Sequence, residues 1–397
     1  MGRENLLTCT ARTGYGRMMR TAVDDFLAQA LRGEAPSWPH RWQGSAATDL
    51  IVERVQFHGI ALLLADMPAA LAAWPDDVRA AVMDEARMQV LWEDLHLTML
   101  RHVFDGLRDA RVTGIVMKGT ALAYSVYDPP AGRRRGDTDL LVRADQLDRV
   151  RIVLRQAGLV AAPTIFGVMY QEAWQYETCI NTRHTIDLHW RVSDSAVLQL
   201  SCPAGEVLAQ ALPLPGLHAH ALASSPKHTF IQTAFNRALH KSQGYLVGDI
   251  KVMSGDRLIW ASDFDRLQRQ FSDDDWAGLC QLALARGIAA IVLDAMRFAR
   301  AALGAPLPAH IEHGLAAHTE DSGAARYLAE HDHVKRYLAD FHALPGLGEK
   351  LGMIRRLTFP SSGHLRDRFP DMAGWPIVAL YLRWMWRNWR RAFSVSS

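Results

Sequence analysis

Residues 118–142 read KGTALAYSVYDPPAGRRRGDTDLLV. A Lys-Gly-Thr turn, a triple-arginine loop and two aspartates lead directly into an apolar segment. Residues two apart in a strand point to the same face. Asp137 and Asp139 therefore project together, with Thr138 and Leu140 facing the other way. Two carboxylates so placed repel each other unless a cation lies between them, and hard oxygen ligands suit Mg²⁺. The stretch thus predicts a strand that carries a metal site.

Residues 112–117 (VTGIVM), just upstream, are short and β-branched and predict a strand. Residues 120–127 predict a helix that Asp128-Pro129-Pro130 ends. Residues 138–142 predict a second strand. Residues 144–157 predict an amphipathic helix with Leu147, Val150 and Leu154 on one face. Residues 185–192 (TIDLHWRV) alternate with period two and predict a third strand, placing Asp187 and His189 on one face. Strand–helix–strand–helix–strand indicates an α/β or α+β core. Three carboxylates on neighbouring strands can hold two metal ions, which together activate an attacking hydroxyl and stabilise departing pyrophosphate.

Gly119-Thr120 follows a strand and opens a helix. Free backbone N–H groups and the helix dipole there favour a phosphate. The glycine permits close approach, and the threonine hydroxyl can donate. Lys118 is one of only six lysines in the chain. With Arg133, it is a candidate to hold a triphosphate; Arg134 and Arg135 are read as solvated. His189, beside Asp187, either tunes a metal ligand, touches substrate or packs. His240 and Asp263, on two later helices, are read as a buried hydrogen-bonded pair or as contacts to the acceptor.

The flanks are helical. Three apolar-periodic stretches precede residue 110, punctuated by Pro36, Pro39, Pro68 and Pro75, and helical patterns return from about residue 225 to the end. The expected organisation is an N-terminal helical module (1–110), a sheet-bearing core (111–205) and a C-terminal helical domain (206–397). The last helical stretch, IVALYLRWMWRNWRRAF, carries Val378, Leu382, Met385, Trp389 and Phe393 on one stripe and arginines on another. The favoured reading packs the apolar stripe on its own domain. A membrane-surface helix is the alternative.

The 397 residues are 49% hydrophobic and 22% charged, with net charge +2, an ordinary globular composition. Near-neutral charge, and no strip of basic and aromatic residues near the core, argue against a nucleic-acid partner. Cys9, Cys179, Cys202 and Cys280 are far apart and form no CxxC pair. They suit reduced thiols rather than a zinc site or a disulfide framework. His218/His220 and His331/His333 lack a third ligand at metal-binding spacing and are read as surface histidines. The first residues, MGRENLLTCTARTGYG, lack the apolar region of a signal peptide, and no apolar run reaches the ~20 residues that span a bilayer. The expected compartment is the cytoplasm.

KGTAL, then an arginine, then GDTDLLV, then IDLHW resembles the bacterial uncharacterised nucleotidyltransferase family of the DNA polymerase β-like superfamily. The resemblance implies an α+β fold: a small polymerase β-like sheet core flanked by helical domains. It matches Gly119 and Thr120 to the phosphate-binding turn, Asp137, Asp139 and Asp187 to the metal ligands, and Arg133 to the family arginine. It extends to Ala238-Leu239-His240 and Trp260-Ala261-Ser262-Asp263. Departures are Thr120 where Gly or Ser is usual, the long gap to Asp137, and polar Thr138. The implied activity is transfer of a nucleoside monophosphate, AMP from ATP first among the choices, with two Mg²⁺ ions (Mn²⁺ substituting) and release of pyrophosphate. The acceptor is a small molecule, a peptide or a protein side chain. The alternative is a degenerate nucleotide-binding or scaffold protein on the same fold.

Overall fold

The computed structural model describes residues 14–393 apart from 43, 163–169, 179, 248–249, 253–254, 320–321, 361 and 373. Residues 1–13, with Cys9, and residue Cys179 lie outside the described part. Seven strands form one mixed sheet in the order β3-β4-β5-β2-β1-β7-β6. They are β1 (Ile115–Met117), β2 (Asp137–Leu141), β3 (Val160–Ala161), β4 (Gln171–Glu177), β5 (Arg183–His189), β6 (Leu212–Pro213) and β7 (Leu222–Ala223). β2 lies parallel to β5 and antiparallel to β1, with Asp139 level with Asp187 on one side and with Met117 on the other.

All three strands expected from the sequence form. The third stops at His189 rather than 192, and the other four, β4 above all, escaped sequence reading. β4 (QEAWQYE) is polar, and only Trp174 is fully buried; it is held by a seven-residue ladder to β5.

Period-two alternation divides the sheet between two apolar clusters. Val116, Leu140, Val142, Ile186 and Leu188 face helix α1 (Asp76–Asp109), through Leu100, Val103, Phe104 and Leu107. Ile115, Met117 and Leu141 face the other way. They join a cluster that also holds Phe26, Trp42 and Trp74 from the N-terminal stretch and Phe230, Phe264 and Leu293 from the C-terminal stretch. One core therefore draws on all three expected segments.

Helix α2 (Lys118–Val126) leaves β1 directly and packs on β2. Helix α3 (Leu147–Gln156) buries Val150, Val153 and Leu154 against α1. Helices α4 (Pro226–Gln243) and α5 (Leu258–Gln270) both pack on α2. The acid-bearing face of β2 thus lies on the side that the flanking helices cover.

The final helix, α6 (Ile377–Phe393), corrects an expectation. It packs Leu380, with partly buried Ile377 and Trp384, against Leu365 and Phe369. The expected stripe lies opposite and is bare: Val378 is 63%, Leu382 63% and Met385 46% exposed. The side chains of Trp389 and Phe393 lie outside the described part. No helix among the described residues is long and apolar enough to cross a membrane.

Candidate metal centre and phosphate turn

The site grows from the β2–β5 register. Asp139 and Asp187 are lateral neighbours on parallel strands, and His189, two residues further on β5, shares their face. Asp139, Asp187 and His189 each offer one ligand atom, all within 4.8 Å of one another. Asp137 begins the strand, exposed, and is not part of this tight group. The group thus holds two of the three carboxylates read as metal ligands, Asp139 and Asp187, with His189 in place of Asp137; His189 Nε2 lies 2.9 Å from Asp139 Oδ1.

Lys118 completes the cluster. Its Nζ donates to Asp139 Oδ1 at 2.6 Å. Its backbone is left-handed, with φ of +49°, a conformation that costs a non-glycine residue about 1–2 kcal/mol. That kink at the joint between β1 and α2 turns the ammonium back onto the acids.

The electrostatics follow from crowding. Burial together with the charges of Asp137 and Asp139 pushes the Asp187 carboxyl up to about 7. Asp137 is raised as well, first by the protein packed around its carboxyl, although the residue itself stays open to solvent, and second by Asp139. Burial also works against ionised Asp139, but Lys118 and His189 outweigh it and hold its carboxyl well below the usual range. Burial disfavours the Lys118 ammonium, yet Asp139, Asp137 and Asp187 raise its pKa overall. Three acids face one lysine and one histidine, so the cluster carries excess negative charge. Two carboxylates and an imidazole at this spacing fit a divalent cation, Mg²⁺ or Mn²⁺, and the imidazole broadens the choice.

Gly119, in the first turn of α2, lies against the arginine loop: a Cβ added there would sit 3.5 Å from Arg135 Cβ and 3.7 Å from Arg133 Cζ. Thr120 differs from expectation. Its hydroxyl is buried and pairs with Thr138 Oγ1 at 2.9 Å, and it accepts from Arg135 Nε at 3.1 Å. It faces protein, so of the expected phosphate-binding pair only Gly119 and the turn's backbone remain candidates.

Arg133 is also committed inward. It is 7% exposed, and its Nε donates to Asp263 Oδ1 at 2.6 Å. Tyr127 donates to the same oxygen at 2.8 Å. Burial raises the Asp263 pKa against the opposing pull of Arg133. Asp263 is thus the partner of Arg133, and the expected His240–Asp263 pair does not form. His240 instead stacks near-parallel on Trp260, with its Nδ1 3.3 Å from the Gly244 carbonyl oxygen. Burial lowers its pKa, the Gly244 carbonyl raises it, and the charge of Lys118 lowers it further, which puts His240 within the field of the site.

The solvated reading of Arg134 and Arg135 is overturned. Arg134 meets Glu85 at 2.5 Å. The Arg135 side chain is 2% exposed and grips Glu93 with two bonds, at 2.6 and 2.8 Å. Tyr124 donates to the same Glu93 at 2.5 Å. On that side Thr138 bonds His96 Nε2 at 2.7 Å, His96 Nδ1 lies 3.1 Å from His184 Nδ1, and Trp92 stacks on His96. Burial, then Arg135 and His184, hold the His96 pKa well below its usual value. None of these partners was legible as a group, because they lie up to 88 residues apart. Asp194 was also missed. It accepts the Tyr170 N–H at 2.6 Å, and its pKa is raised by burial, against the Tyr170 bond and the charges of His189 and Lys118.

Of the histidines read as surface residues, His220, His331 and His333 are exposed, whereas His218 is partly buried and stacks on Phe104. Cys202 and Cys280 are free thiols.

Among curated proteins and among solved structures, nothing matches this chain. A family model does match, over residues 45–304, well over half the length. Its span contains β1, β2, β5, the turn at Gly119 and the metal cluster, and the chain belongs to the family described as uncharacterised nucleotidyltransferase.

Proposed function

We propose that the protein is a metal-dependent nucleotidyltransferase on a polymerase β-like core. It transfers a nucleoside monophosphate, AMP from ATP in the first instance, to a hydroxyl of a small-molecule, peptide or protein acceptor in the cytoplasm. The acceptor oxygen bonds the α-phosphorus, the bond to pyrophosphate breaks, and the hydroxyl proton passes to a base. The observation that supports this most is the Asp139–Asp187–His189 cluster within 4.8 Å, one residue-pair away from the Gly119 turn in a family of nucleotidyltransferases.

Asp139 and Asp187, with His189, would hold a divalent cation, and Asp137 would flank a second. Bound there, the metal would offset the charge of the departing pyrophosphate and acidify the attacking hydroxyl. The protein's own residues set the rest. Gly119 lets a phosphate approach the first turn of α2. Lys118 neutralises carboxylates now and would exchange them for phosphate oxygens. Asp187, on the β5 side of the cluster, is the carboxylate assigned to help remove the hydroxyl proton.

The test is label transfer from each of the four α-labelled NTPs, with Mg²⁺ or Mn²⁺ and cell extract as acceptor source, in wild type and Asp139→Ala. A discrete labelled species, lost in the variant, supports the proposal. Nucleotide binding without transfer by any NTP would sink it. That outcome favours the second reading, a nucleotide-binding scaffold, for which the Lys118–Asp139 contact at 2.6 Å speaks, because an ammonium already occupies a lone pair that a metal needs.

A further inference from the structure

A cleft of about 480 Å³ opens beside the site, between α1, the loop before β2 and the start of β5. It is lined by five arginines, Arg133, Arg134, Arg135, Arg183 and Arg257, against two acids, Glu85 and Glu93. Those two acids are already engaged, Glu85 by Arg134 and Glu93 by Arg135. Arg183 stands exposed at the first position of β5, with no side-chain partner among the described residues. Arg133 is engaged in turn by Asp263, which is not part of the lining, so the exposed Arg183 is the guanidinium that the cleft presents to an anion.

Its other wall is apolar. Met88, Leu91 and Trp92 line it, and Met88 is 60% and Leu91 42% exposed. Trp92 has one face stacked on His96. A third feature is Gln89. It is buried at 7% exposure, its amide N–H₂ bonds the Ala131 carbonyl oxygen, and its Oε1 has no partner. A buried amide oxygen without a donor costs about 1–3 kcal/mol, so this atom is a ready acceptor for a ligand's hydroxyl or amine.

The cleft reaches the start of β2. Gly136 lines the cleft and immediately precedes Asp137. Arg133 and Arg135 line it too, and both touch the position where Gly119 would carry a Cβ. A molecule seated in the cleft by its anionic end lies alongside the phosphate turn.

We propose that this arginine-lined cleft binds the anionic end, phosphate or carboxylate, of an organic ligand that also carries an apolar portion and a hydrogen-bond donor. The anion has two possible sources, the triphosphate of the nucleotide or an acidic group on the acceptor. Naming the source deepens the transferase reading and rests on it; the cleft's affinity for an anion does not.

The experiment is calorimetric titration of the full chain with inorganic tripolyphosphate and, separately, with ATP, at fixed ionic strength and without metal. The variants are Arg183→Ala and, as a control on α1 outside the cleft, Arg79→Ala. Arg183 is exposed and without a side-chain partner among the described residues, so its removal leaves folding intact. The expected result is a Kd for tripolyphosphate raised about 10-fold by Arg183→Ala, from the loss of one charge-assisted contact, and unchanged by Arg79→Ala. A matching rise in the Kd for ATP assigns the cleft to the nucleotide. An unchanged Kd for ATP assigns it to the acceptor. No binding of tripolyphosphate by wild type, or equal binding by Arg183→Ala, overturns the proposal whatever the outcome of label transfer. Retained tripolyphosphate binding with no label transfer sinks the transferase reading alone.

Discussion

Strand β2 presents two polar faces of opposite character. Toward α1, Thr138 enters a network in which Thr120, His96, Arg135 and Glu93 are bonded together, with His184 at its end and its Nε2 unpartnered, and the ion pair is bidentate and buried. Toward the flanking helices, Asp139 joins Asp187 and His189 in a group whose charges do not balance, with Lys118 as a partial counter-charge. Buried polar groups that are mutually satisfied hold a fold together. Buried acids crowded until one is pushed up to about 7 are destabilising until something binds them, and such groups mark functional sites. Residues one position apart in sequence therefore serve different ends.

The largest expected effect lies on the acid face. Asp139→Asn should reduce nucleotidyl transfer by about 10³-fold or more, the loss of several kcal/mol of charge stabilisation, while the melting temperature stays close to wild type. Transfer persisting within tenfold would break the contrast between the faces. Next comes the face toward α1. Glu93→Ala strands Arg135 and Tyr124 in a buried setting, and should cost about 3–5 kcal/mol in denaturant unfolding. A cost below about 1 kcal/mol would show that the network is not structural.

A smaller effect sharpens the acid face by pH. With metal chelated, Asp187 is protonated in the folded state up to about 7, but ionises near 3.9 in the unfolded chain. Between those values the folded state binds the extra proton, so this residue's contribution to stability falls as pH rises. Asp187→Asn lacks that penalty. Its melting temperature relative to wild type should climb from pH 4 to pH 7 and then level off; a difference that stays flat across the window would refute the raised pKa. The smallest effect concerns the bare stripe of α6. Val378 and Leu382 are both 63% exposed, so Val378→Glu with Leu382→Glu should shift stability by no more than about 0.5 kcal/mol. A larger loss would mean that the stripe is covered in solution.

What the sequence disclosed follows the same division. The acids were legible because period-two spacing is a local property: Asp137, Asp139, Asp187 and His189 fall on one face whatever surrounds them. The paired strands β2 and β5 were legible as short β-branched or alternating runs. The network toward α1 was not, because Arg135 and Glu93 are 42 residues apart, and a triple arginine in a loop looks solvated until its partners arrive from another helix. The roles of Arg133 and Asp263 failed for the same reason: both were singled out, but their joining to each other, across 130 residues, is a property of packing. β4 was missed because its stability comes from the ladder to β5 rather than from its own composition. The place of His189 in the Asp139–Asp187 group was within reach, since it shares a face with Asp187.

The continuous core has a practical consequence for cutting the chain. Ile115, Met117 and Leu141, on the acid side of the sheet, share their cluster with Trp42 and Trp74 upstream and Phe264 downstream. A fragment of residues 111–205 would retain Asp137, Asp139, Asp187 and His189 yet uncover that whole side of the sheet, and would be expected to aggregate. Dissection of this protein therefore calls for point substitutions within an intact chain, and proteolytic trimming at residue 110 or 205 would dissolve the scaffold along with the site.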